Sequence, residues 1–410
     1  MRTPGHNHFT GNYAVHMRSF RIALLLAAPF VSVTAQQVPL RDLPKPSREI
    51  EDPFSMVQSG SEFRPGQLLV ADGIDAEVTL IDFIRGTRKV LGRKGAGPGE
   101  YTLPVGVMRL TGDTVVVLDA AAGAPGQPQT TMRVVKFLPD LTPGTTSHIT
   151  TFSIQDSSTV TGTMFPGPKG EVLSTSLKLK LTPQGPFPGD TMHIVRFALT
   201  HDAKLTRLDA IRTPQSPGRE NVPIAGGLKV KVPYFGVVNA DAWTAFPDGR
   251  VAIIRGTNYT IEFILPDGKR TAPIAIPYER IKLTEADHAI ELAAFRKVVS
   301  DAMGMIKKTL PPNFKLELEI TPPASWPAEY PPIGLIVAYP APSGHVWVRR
   351  SMPSRLDSEH WDVIDRTGKL TARWKLPSKT TLLAVGDGAV YAVRTDEDDL
   401  RYVQRIPIPK

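Results

Sequence analysis

Three arginines stand at one fixed spacing after predicted turns, and their chemistry suits the binding of an anion. Arg255, Arg350 and Arg394 each lie six residues after a glycine that occupies a turn. Asp72 has the same spacing earlier in the chain, and Asp119 is one residue further from its glycine. Because a guanidinium group binds a carboxylate bidentately, a partial basic ring opposite two carboxylates could bind an anionic or zwitterionic ligand. The alternative is ion pairing between neighbouring strands at the surface, which is common in proteins.

A glycine-rich loop between residues 92 and 100 is the second candidate for ligand binding. It contains four glycines and two basic residues, Arg93 and Lys94, and it ends at Glu100. The backbone N–H groups of such a loop could cradle an anion. The loop lacks the spacing of a P-loop and does not lead into a helix. The favoured interpretation is therefore a tight crossover between two structural repeats, in which Arg93 or Glu100 braces neighbouring strands.

Metal and nucleophile chemistry have little support in the sequence. Cysteine is absent, which excludes disulfides, thiolate metal sites and a cysteine nucleophile. After residue 35, no histidines have the spacing of a metal site, and no serine-hydrolase motif stands out. The histidines in that part of the chain are His148, His193, His201, His288, His345 and His360. The sequence accordingly predicts no cofactor.

A strand pattern recurs after residue 54: an apolar stretch, a glycine turn, a second apolar stretch, a loop and a third apolar stretch. In the clearest repeat, the turn Pro247-Asp248-Gly249 is an Asp-Gly hairpin signal between two apolar strands. The corresponding glycines along the chain are Gly66, Gly112, Gly170, Gly249, Gly344 and Gly388. Six such units of about four strands predict an all-β fold, a six-bladed β-propeller. A β-sandwich is the competing all-β fold, but it does not explain six repeats of one strand order.

The first strands of three repeats contain a glycine, and the last repeat is one strand short. Gly106, Gly162 and Gly334 are expected near the central axis, where they allow close approach of the backbone. The third strand of the sixth repeat ends almost at the C-terminus. We therefore expect the segment 38–51 to supply the outer strand of the last blade and to close the ring, which removes a free sheet edge. Residues 36–410 then form a single domain.

One segment, residues 283–330, interrupts the strand pattern between blades 4 and 5. Thr284 and Asp287 predict the start of a helix, and Leu292, Phe295 and Val299 form its apolar face. The helix is expected to cap one face of the ring. The proline-rich stretch after it should be extended, with Trp326 and Tyr330 packed on the propeller rim or stacked on a ligand.

The N-terminus has the layout of a secretory signal peptide. A basic region at residues 17–21 precedes a ten-residue apolar run at residues 22–31 and a small-residue cleavage site at residues 33–35. The apolar run is shorter than the roughly 20 residues of a membrane-spanning helix. Residues 1–16 are interpreted as lying upstream of the true start. Residues 1–35 hold three arginines and no acidic residue, so their removal lowers the net charge from +8 to +5, too little to indicate nucleic-acid binding.

The loop that begins at Leu91 and ends at Tyr101 resembles a known family signature. It reads LGRKGAGPGEY and is similar to the G-R-x-G-x-G-P-G-E-[FY] motif of exported bacterial six-bladed β-propeller proteins, which are relatives of NHL-repeat and TolB-like propellers. The resemblance covers most of the chain from residue 54 to residue 408. It implies a fold and an export route to the periplasm or the exterior, but no catalytic residues. Calcium held by scattered Asp, Asn and Glu side chains, as in lactonase-type propellers, stays open.

The sequence therefore favours an exported, monomeric binding or scaffold module without a transmembrane segment. Its partner is expected to be a protein, peptide or glycan at the face that collects the long loops. The candidate ligand-binding residues are Arg255, Arg350, Arg394, Arg93 and Asp72. The alternative is a metal-dependent hydrolase or lyase of the lactonase or NHL-type propeller kind, since fold alone does not assign function.

Overall fold

The structure, a computed structural model, describes residues 38–120, 131–153, 158–182, 185–201, 203–212, 220–307 and 313–409. Within these ranges the chain is almost entirely β-structure, with a single α-helix and one short 3-10 helix, Pro168–Gly170. The predicted signal peptide and most of the loop at residues 120–131 lie outside the described residues. None of the described helices has both the length and the apolar character needed to cross a membrane.

Most strands join their neighbours in sequence to form antiparallel sheets. Two short strands come first: β1 (Leu40–Asp42) and β2 (Arg48–Glu49). Sheet one contains β3 (Val57–Arg64), β4 (Gln67–Asp72), β5 (Glu77–Asp82) and β6 (Thr87–Leu91), and a small parallel pair, β7 (Arg93–Lys94) and β8 (Glu100–Tyr101), follows it. Sheet two contains β9 (Pro104–Arg109), β10 (Val115–Asp119), β11 (Thr131–Phe137) and β12 (Pro143–Thr150). Sheet three contains β13 (Phe152–Ser153), β14 (Ser158–Pro166), β15 (Glu171–Thr182), β16 (Gly185–Ala198) and β17 (Thr206–Arg212).

The second half of the chain repeats this arrangement around an insertion. β18 (Glu220–Ile224) and β19 (Gly227–Pro233) precede sheet four, which contains β20 (Ala242–Ala245), β21 (Val251–Arg255), β22 (Thr260–Ile264) and β23 (Ile274–Ala275). Helix α1 (Glu285–Lys307) and β24 (Lys315–Thr321) come next. Sheet five contains β25 (Ile333–Pro340), β26 (Val346–Arg350), β27 (His360–Ile364) and β28 (Leu370–Lys375), and sheet six contains β29 (Thr380–Val385), β30 (Ala389–Thr395) and β31 (Arg401–Pro407).

The apolar core is divided among the seams between successive sheets. One buried cluster joins sheet one to sheet two, and others join two to three, three to four, four to five and five to six. A sixth cluster joins sheet six back to sheet one, where Leu68 and Val70 pack with Tyr391 and Val403. The sheets therefore form a closed ring. Burial of apolar side chains on both faces of each sheet stabilises the ring, by roughly 25 cal/mol per Å² of apolar surface removed from water.

The N-terminal segment 38–51 divides between two sheets, which differs from its expected assignment to the last one. Arg48–Glu49 pairs antiparallel with β31 of sheet six, whereas Leu40–Asp42 pairs parallel with β28 of sheet five. Pro44 and Pro46 lie between the two strands, and because proline has no N–H group it interrupts a ladder of hydrogen bonds. Leu43 is buried in the seam between sheets five and six. The segment thus clips these two sheets together.

The insertion after sheet four forms a small module, here called the cap, which also includes the segment before that sheet. β24 lies in the stretch expected to be merely extended, and it pairs in parallel with β19 to make the sheet β18-β19-β24. A parallel pairing between strands so distant in sequence leaves no local pattern. Helix α1 packs through Leu292 and Phe295, as expected. Their partners, however, are Tyr234 and Trp326 of the cap itself, whereas the helix was expected to pack on the face of the ring. Val299 is not part of this cluster.

Two buried carboxylates of α1 attach the cap to the loop between β26 and β27. Asp287 caps the helix by accepting hydrogen bonds from Thr284, and it receives Arg355 Nε at 3.0 Å. Glu291 accepts from Ser354 and from the Tyr330 hydroxyl, each at 2.8 Å. Tyr330 and Trp326 are therefore occupied inside the cap, where Trp326 stacks on His288 with ring centroids 4.2 Å apart.

Candidate functional site

The first strands of the six sheets surround a cavity of about 660 Å³. This volume falls in the range of pockets that bind small organic ligands, roughly 300–1,000 Å³. The wall includes residues of β3, β9, β14, β20, β25 and β29, which are the first strands of their sheets except that the short β13 precedes β14 in sheet three. The cavity lies on the axis of the ring and is the leading candidate for the functional site.

Glycines on the first strands leave room for neighbouring side chains, whereas they were expected from the sequence to allow close approach of the backbone. A Cβ atom at Gly106 would lie 3.1 Å from Leu118, and one at Gly162 would lie 3.1 Å from Thr175 Oγ1. Gly334 is different, because its nearest neighbour would be 3.9 Å away. The tightest first-strand glycine is Gly60, where a Cβ atom would lie 2.6 Å from Leu383. Sequence inspection did not single out Gly60.

The cavity wall is mainly apolar and rich in soft side chains. Met108, Met164 and Met192 line it together with Phe165 and Trp243. The two aromatic rings pack edge to face, with centroids 5.0 Å apart. Methionine thioethers adapt their shape and make favourable contacts with aromatic rings, so this wall suits an apolar or aromatic ligand.

Hydroxyl and amide groups interrupt the apolar wall. They include those of Gln58, Ser59, Ser61, Thr111, Thr163 and Thr175. A few polar groups in an apolar pocket orient a ligand and give specificity. Thr111 and Thr163 are exposed residues, so their side chains can be changed without disturbing a packed core.

Two charged residues line the cavity, and their environments differ. Arg109 forms an ion pair with Asp113 at 2.6 Å. Glu62 accepts hydrogen bonds from the Tyr391 hydroxyl at 2.7 Å and from the backbone N–H of Asp387 at 2.8 Å. Burial raises the pKa of Tyr391, and the hydrogen bond to Glu62 adds to this, so its hydroxyl stays protonated and donates. Glu62 is thus held across the seam between sheets one and six.

The arginines predicted to bind an anion are instead paired within the fold. Arg255 contacts Glu262 at 2.7 Å, Asp241 at 3.0 Å and Asp209 at 3.4 Å. Burial lowers the pKa of Arg255, but hydrogen bonds to Asp241 and Glu262 outweigh it and raise the pKa overall. Three carboxylates therefore already pair with the guanidinium of Arg255, whose side chain is 28% exposed.

Arg350 and Arg394 are engaged in the same way. Arg350 lies 3.4 Å from Asp362 and donates to the carbonyl oxygen of Pro332 at 2.6 Å. Arg394 binds both carboxylate oxygens of Glu49 at 2.8 Å. The arrangement matches the alternative interpretation, pairing between neighbouring strands and sheets, and it does not support an anion site formed by the three arginines.

The remaining two predicted site residues are also occupied by local contacts. Asp72 accepts from the backbone N–H groups of Met56, Ile74 and Asp75 at 3.0–3.1 Å. Arg93 pairs with Glu100 at 2.8 Å inside the glycine-rich loop. The structure therefore does not bring the five predicted residues together into one ligand site.

The glycine-rich loop is fixed by a cation that the sequence did not single out. Arg133 donates to the carbonyl oxygens of Gly95, Ala96 and Glu100 at 2.7–3.1 Å, and it pairs with Asp119 at 2.6 Å. The loop thus presents carbonyl groups to a guanidinium, the reverse of an anion cradle. Asp119 ends β10, so in sheet two the acid stands where the later sheets have arginine.

A compact metal centre is not evident in the part of the chain that the structure describes. No group of three or more His, Asp or Glu side chains there could hold a metal ion. The histidines at residues 193 and 360 lie among cations, and burial lowers the pKa of both.

Comparison with known proteins gives structural likeness without a family assignment. No family model matches the chain, and no curated protein matches it. A Bacteroides fragilis protein described as exported has 12% identity and a TM-score of 0.45, over 91% of this chain and 95% of that one. Regucalcin, a calcium-binding protein of Agrobacterium tumefaciens, has 11% identity and a TM-score of 0.40, over 90% and 98%. A gluconolactonase of Xanthomonas campestris has 10% identity and a TM-score of 0.40, over 88% of each chain. Likeness at this level carries no argument about function, which is argued below from the residues of this chain.

Proposed function

We propose that this protein is an exported, six-bladed β-propeller that binds a small, largely apolar ligand in its central cavity. The six sheets are its blades, and the segment 38–51 closes the ring. The observation that supports this most directly is the wall of methionine and aromatic side chains around about 660 Å³ of space on the ring axis. Such a concave apolar pocket with a few convergent polar groups is the usual form of a ligand site.

This proposal moves the binding site from the long-loop face to the axis. Arg255, Arg350 and Arg394, on which the loop-face prediction rested, form ion pairs inside the fold. Their partners are Glu262, Asp362 and Glu49, respectively. The apolar side chains of the axis pack on one another and also border about 660 Å³ of space. Residues that remain available to a ligand are the better candidates for a binding function.

Titration with Nile red, a neutral dye whose emission increases in apolar surroundings, tests the proposal. We expect saturable one-to-one binding to the protein. Thr163→Trp should abolish it, because the added indole occupies the cavity from an exposed position on its wall. The matched control is Lys94→Gln on the exposed glycine-rich loop, which should bind the dye as the unchanged protein does. Equal binding by Thr163→Trp would place the dye elsewhere and contradict the proposal.

A metal-dependent hydrolase or lyase remains the second candidate, with its metal in the central channel. Glu62 supplies a carboxylate in the cavity wall. Calcium prefers six to eight oxygen ligands, so a calcium site here would need further oxygens beside this one. A calcium titration followed by melting temperature distinguishes the two candidates: a clear rise favours the enzyme and no change favours the binding protein.

A further inference from the structure

Glu62 introduces a carboxylate at a level of the ring where the other repeats are apolar. It lies four residues before the turn glycine Gly66. The residues four positions before the other five turn glycines are Met108, Pro166, Ala245, Pro340 and Ala384. All five lack a charge, and four of them line the cavity. A single carboxylate at this level makes the cavity wall electrostatically asymmetric.

The position of the carboxylate is fixed by two groups across the seam, Tyr391 and Asp387, and by Gly66 of its own sheet. Oε1 accepts from the Tyr391 hydroxyl at 2.7 Å and from Gly66 N–H at 3.4 Å, and Oε2 accepts from Asp387 N–H at 2.8 Å. Gly386 permits this approach, because a Cβ atom there would lie 2.2 Å from Oε1. A carboxylate has about four acceptor sites, so these donors leave one free on Oε2.

Among the residues that the structure describes, Glu62 also differs from Arg109, the other charged group of the wall, in having no partner of opposite charge. Arg109 has Asp113 at 2.6 Å. Among the described residues, Glu62 takes part in no ion pair, and all three of its donors are neutral. Arg405 faces the hydroxyl of Tyr391, and the charge of that arginine acts on the tyrosine. A carboxylate in a largely apolar cavity gains most from a cation that also donates a hydrogen bond.

We infer that the ligand of the cavity is an organic cation: an apolar or aromatic body that carries one protonated amine. The ammonium group donates to the free acceptor site of Glu62 Oε2, and the body packs on Met108, Met164 and Trp243. This inference rests on the proposed function, since it names the ligand class of the same cavity. Glu62 otherwise serves only to brace the seam between sheets one and six.

Three compounds with one aromatic body and different charge test the inference. Naphthylmethylamine is a cation at neutral pH, naphthylmethanol is neutral and naphthoate is an anion. Isothermal titration calorimetry should give at least about tenfold tighter binding for the amine than for the alcohol, because a charge-assisted hydrogen bond is stronger than a neutral one. The acid should bind most weakly. Added salt should weaken binding of the amine more than binding of the alcohol.

Glu62→Gln provides the matched variant, because it keeps the size of the side chain and an acceptor oxygen for the Tyr391 hydroxyl. The preference for the amine should fall to about twofold or less in Glu62→Gln and persist in the control Glu51→Gln, an exposed glutamate outside the cavity. Seam bracing alone would lower the melting temperature of Glu62→Gln without changing the order of affinities. If this variant does not fold, the three affinities of the unchanged protein decide the question.

The outcomes separate this inference from the proposed function. Equal affinity for amine and alcohol, with Nile red still bound, overturns the organic cation and leaves the apolar cavity as the site. A preference for the amine that survives in Glu62→Gln assigns the charge recognition to another group and also overturns it. Failure of all three compounds and of Nile red to bind contradicts both proposals.

Discussion

Two kinds of charged group lie near strand ends in this protein: the arginines of the second strands and the glutamate of the cavity wall. Their surroundings differ. Arg255, Arg350 and Arg394 each meet a carboxylate within 3.4 Å, whereas Glu62 is held by neutral donors. A charge whose partner lies inside the fold contributes to the geometry of the ring. A charge without a partner, in a cavity, is available to a ligand. Regular spacing in the sequence therefore identifies the charged positions, and ion pairing in the fold decides which of them can bind a ligand.

The largest effect should come from the most buried pair at the end of a second strand. Arg133 and Asp119 have side chains that are 6% and 0% exposed. Arg133→Met leaves Asp119 as an uncompensated buried charge and releases three loop carbonyls, so we expect a loss of about 3–5 kcal/mol in the free energy of unfolding, measured with urea. Arg93→Met is the control, because its side chain is 82% exposed and an exposed ion pair contributes little to stability. Equal losses in both variants would show that burial does not govern these pairs.

Alanine substitution of two glycines with the same φ angle tests how tightly the glycine-rich loop is packed. Gly92 and Gly112 both have φ of +80°, but a Cβ atom at Gly92 would lie 2.1 Å from the carbonyl oxygen of Gly99, and one at Gly112 would meet nothing within 4 Å. Gly112→Ala should cost about 1–2 kcal/mol from the left-handed backbone alone. Gly92→Ala should cost roughly 1–3 kcal/mol more from overpacking. Urea unfolding measures both, and similar losses would mean that the loop relaxes freely.

The clip between the termini should show a pH-dependent contribution to stability. The hydrogen bond from Arg394 lowers the pKa of Glu49 below its ordinary value of 4.5, against the opposing effect of burial. A lowered pKa in the folded state means that the pair stabilises the protein above the unfolded pKa and that this stabilisation disappears as pH falls through the folded pKa. Glu49→Gln should cost about 0.5–1 kcal/mol at neutral pH.

Melting temperatures from pH 7 downward measure this contribution. The difference between the unchanged protein and Glu49→Gln should shrink as pH falls from 4.5 through the lowered pKa of Glu49. The control is Glu51→Gln, two residues away and exposed, which should not reproduce the trend. A difference that stays constant with pH would remove the ion pair from the account of ring closure.

A substitution in the cap should have the smallest effect on the stability of the whole protein. Phe295 packs against Tyr234 and Phe235 with ring centroids 5.1 and 4.9 Å apart, inside a core that belongs to the cap alone. Phe295→Asp should therefore open the cap to proteases near α1 while leaving the unfolding of the ring and the binding of Nile red nearly unchanged. Loss of Nile red binding together with cap release would show that the cap supports the cavity.

Local signals predicted the repeated part of the fold, and distant pairings escaped them. The Asp-Gly turn at Gly249 and its counterparts mark hairpins whose two strands are adjacent in sequence. The parallel pairing of β19 with β24 and of β1 with β28 joins segments far apart in sequence, and no turn residue announces it. The ion pairs of the arginines could not be predicted for the same reason. The spacing of the arginines is evident in the sequence, but their partners Asp209, Asp241 and Glu49 come from other strands or sheets. Glu62 could have been found by counting back from each turn glycine and asking which repeat departs from an apolar residue.

The central claim, that ligands bind on the axis of the ring, is tested most directly by NMR of methionine methyl groups. Met108, Met164 and Met192 line the cavity, whereas Met303 lies on α1 and Met352 in the loop after β26. With ¹³C-methyl methionine, assigned by single substitutions to leucine, addition of naphthylmethylamine should shift the resonances of the three cavity methionines and leave Met303 and Met352 unchanged. Shifts confined to Met303 and Met352, with the cavity methionines unaffected, would place binding on the cap and loop face and would contradict the account.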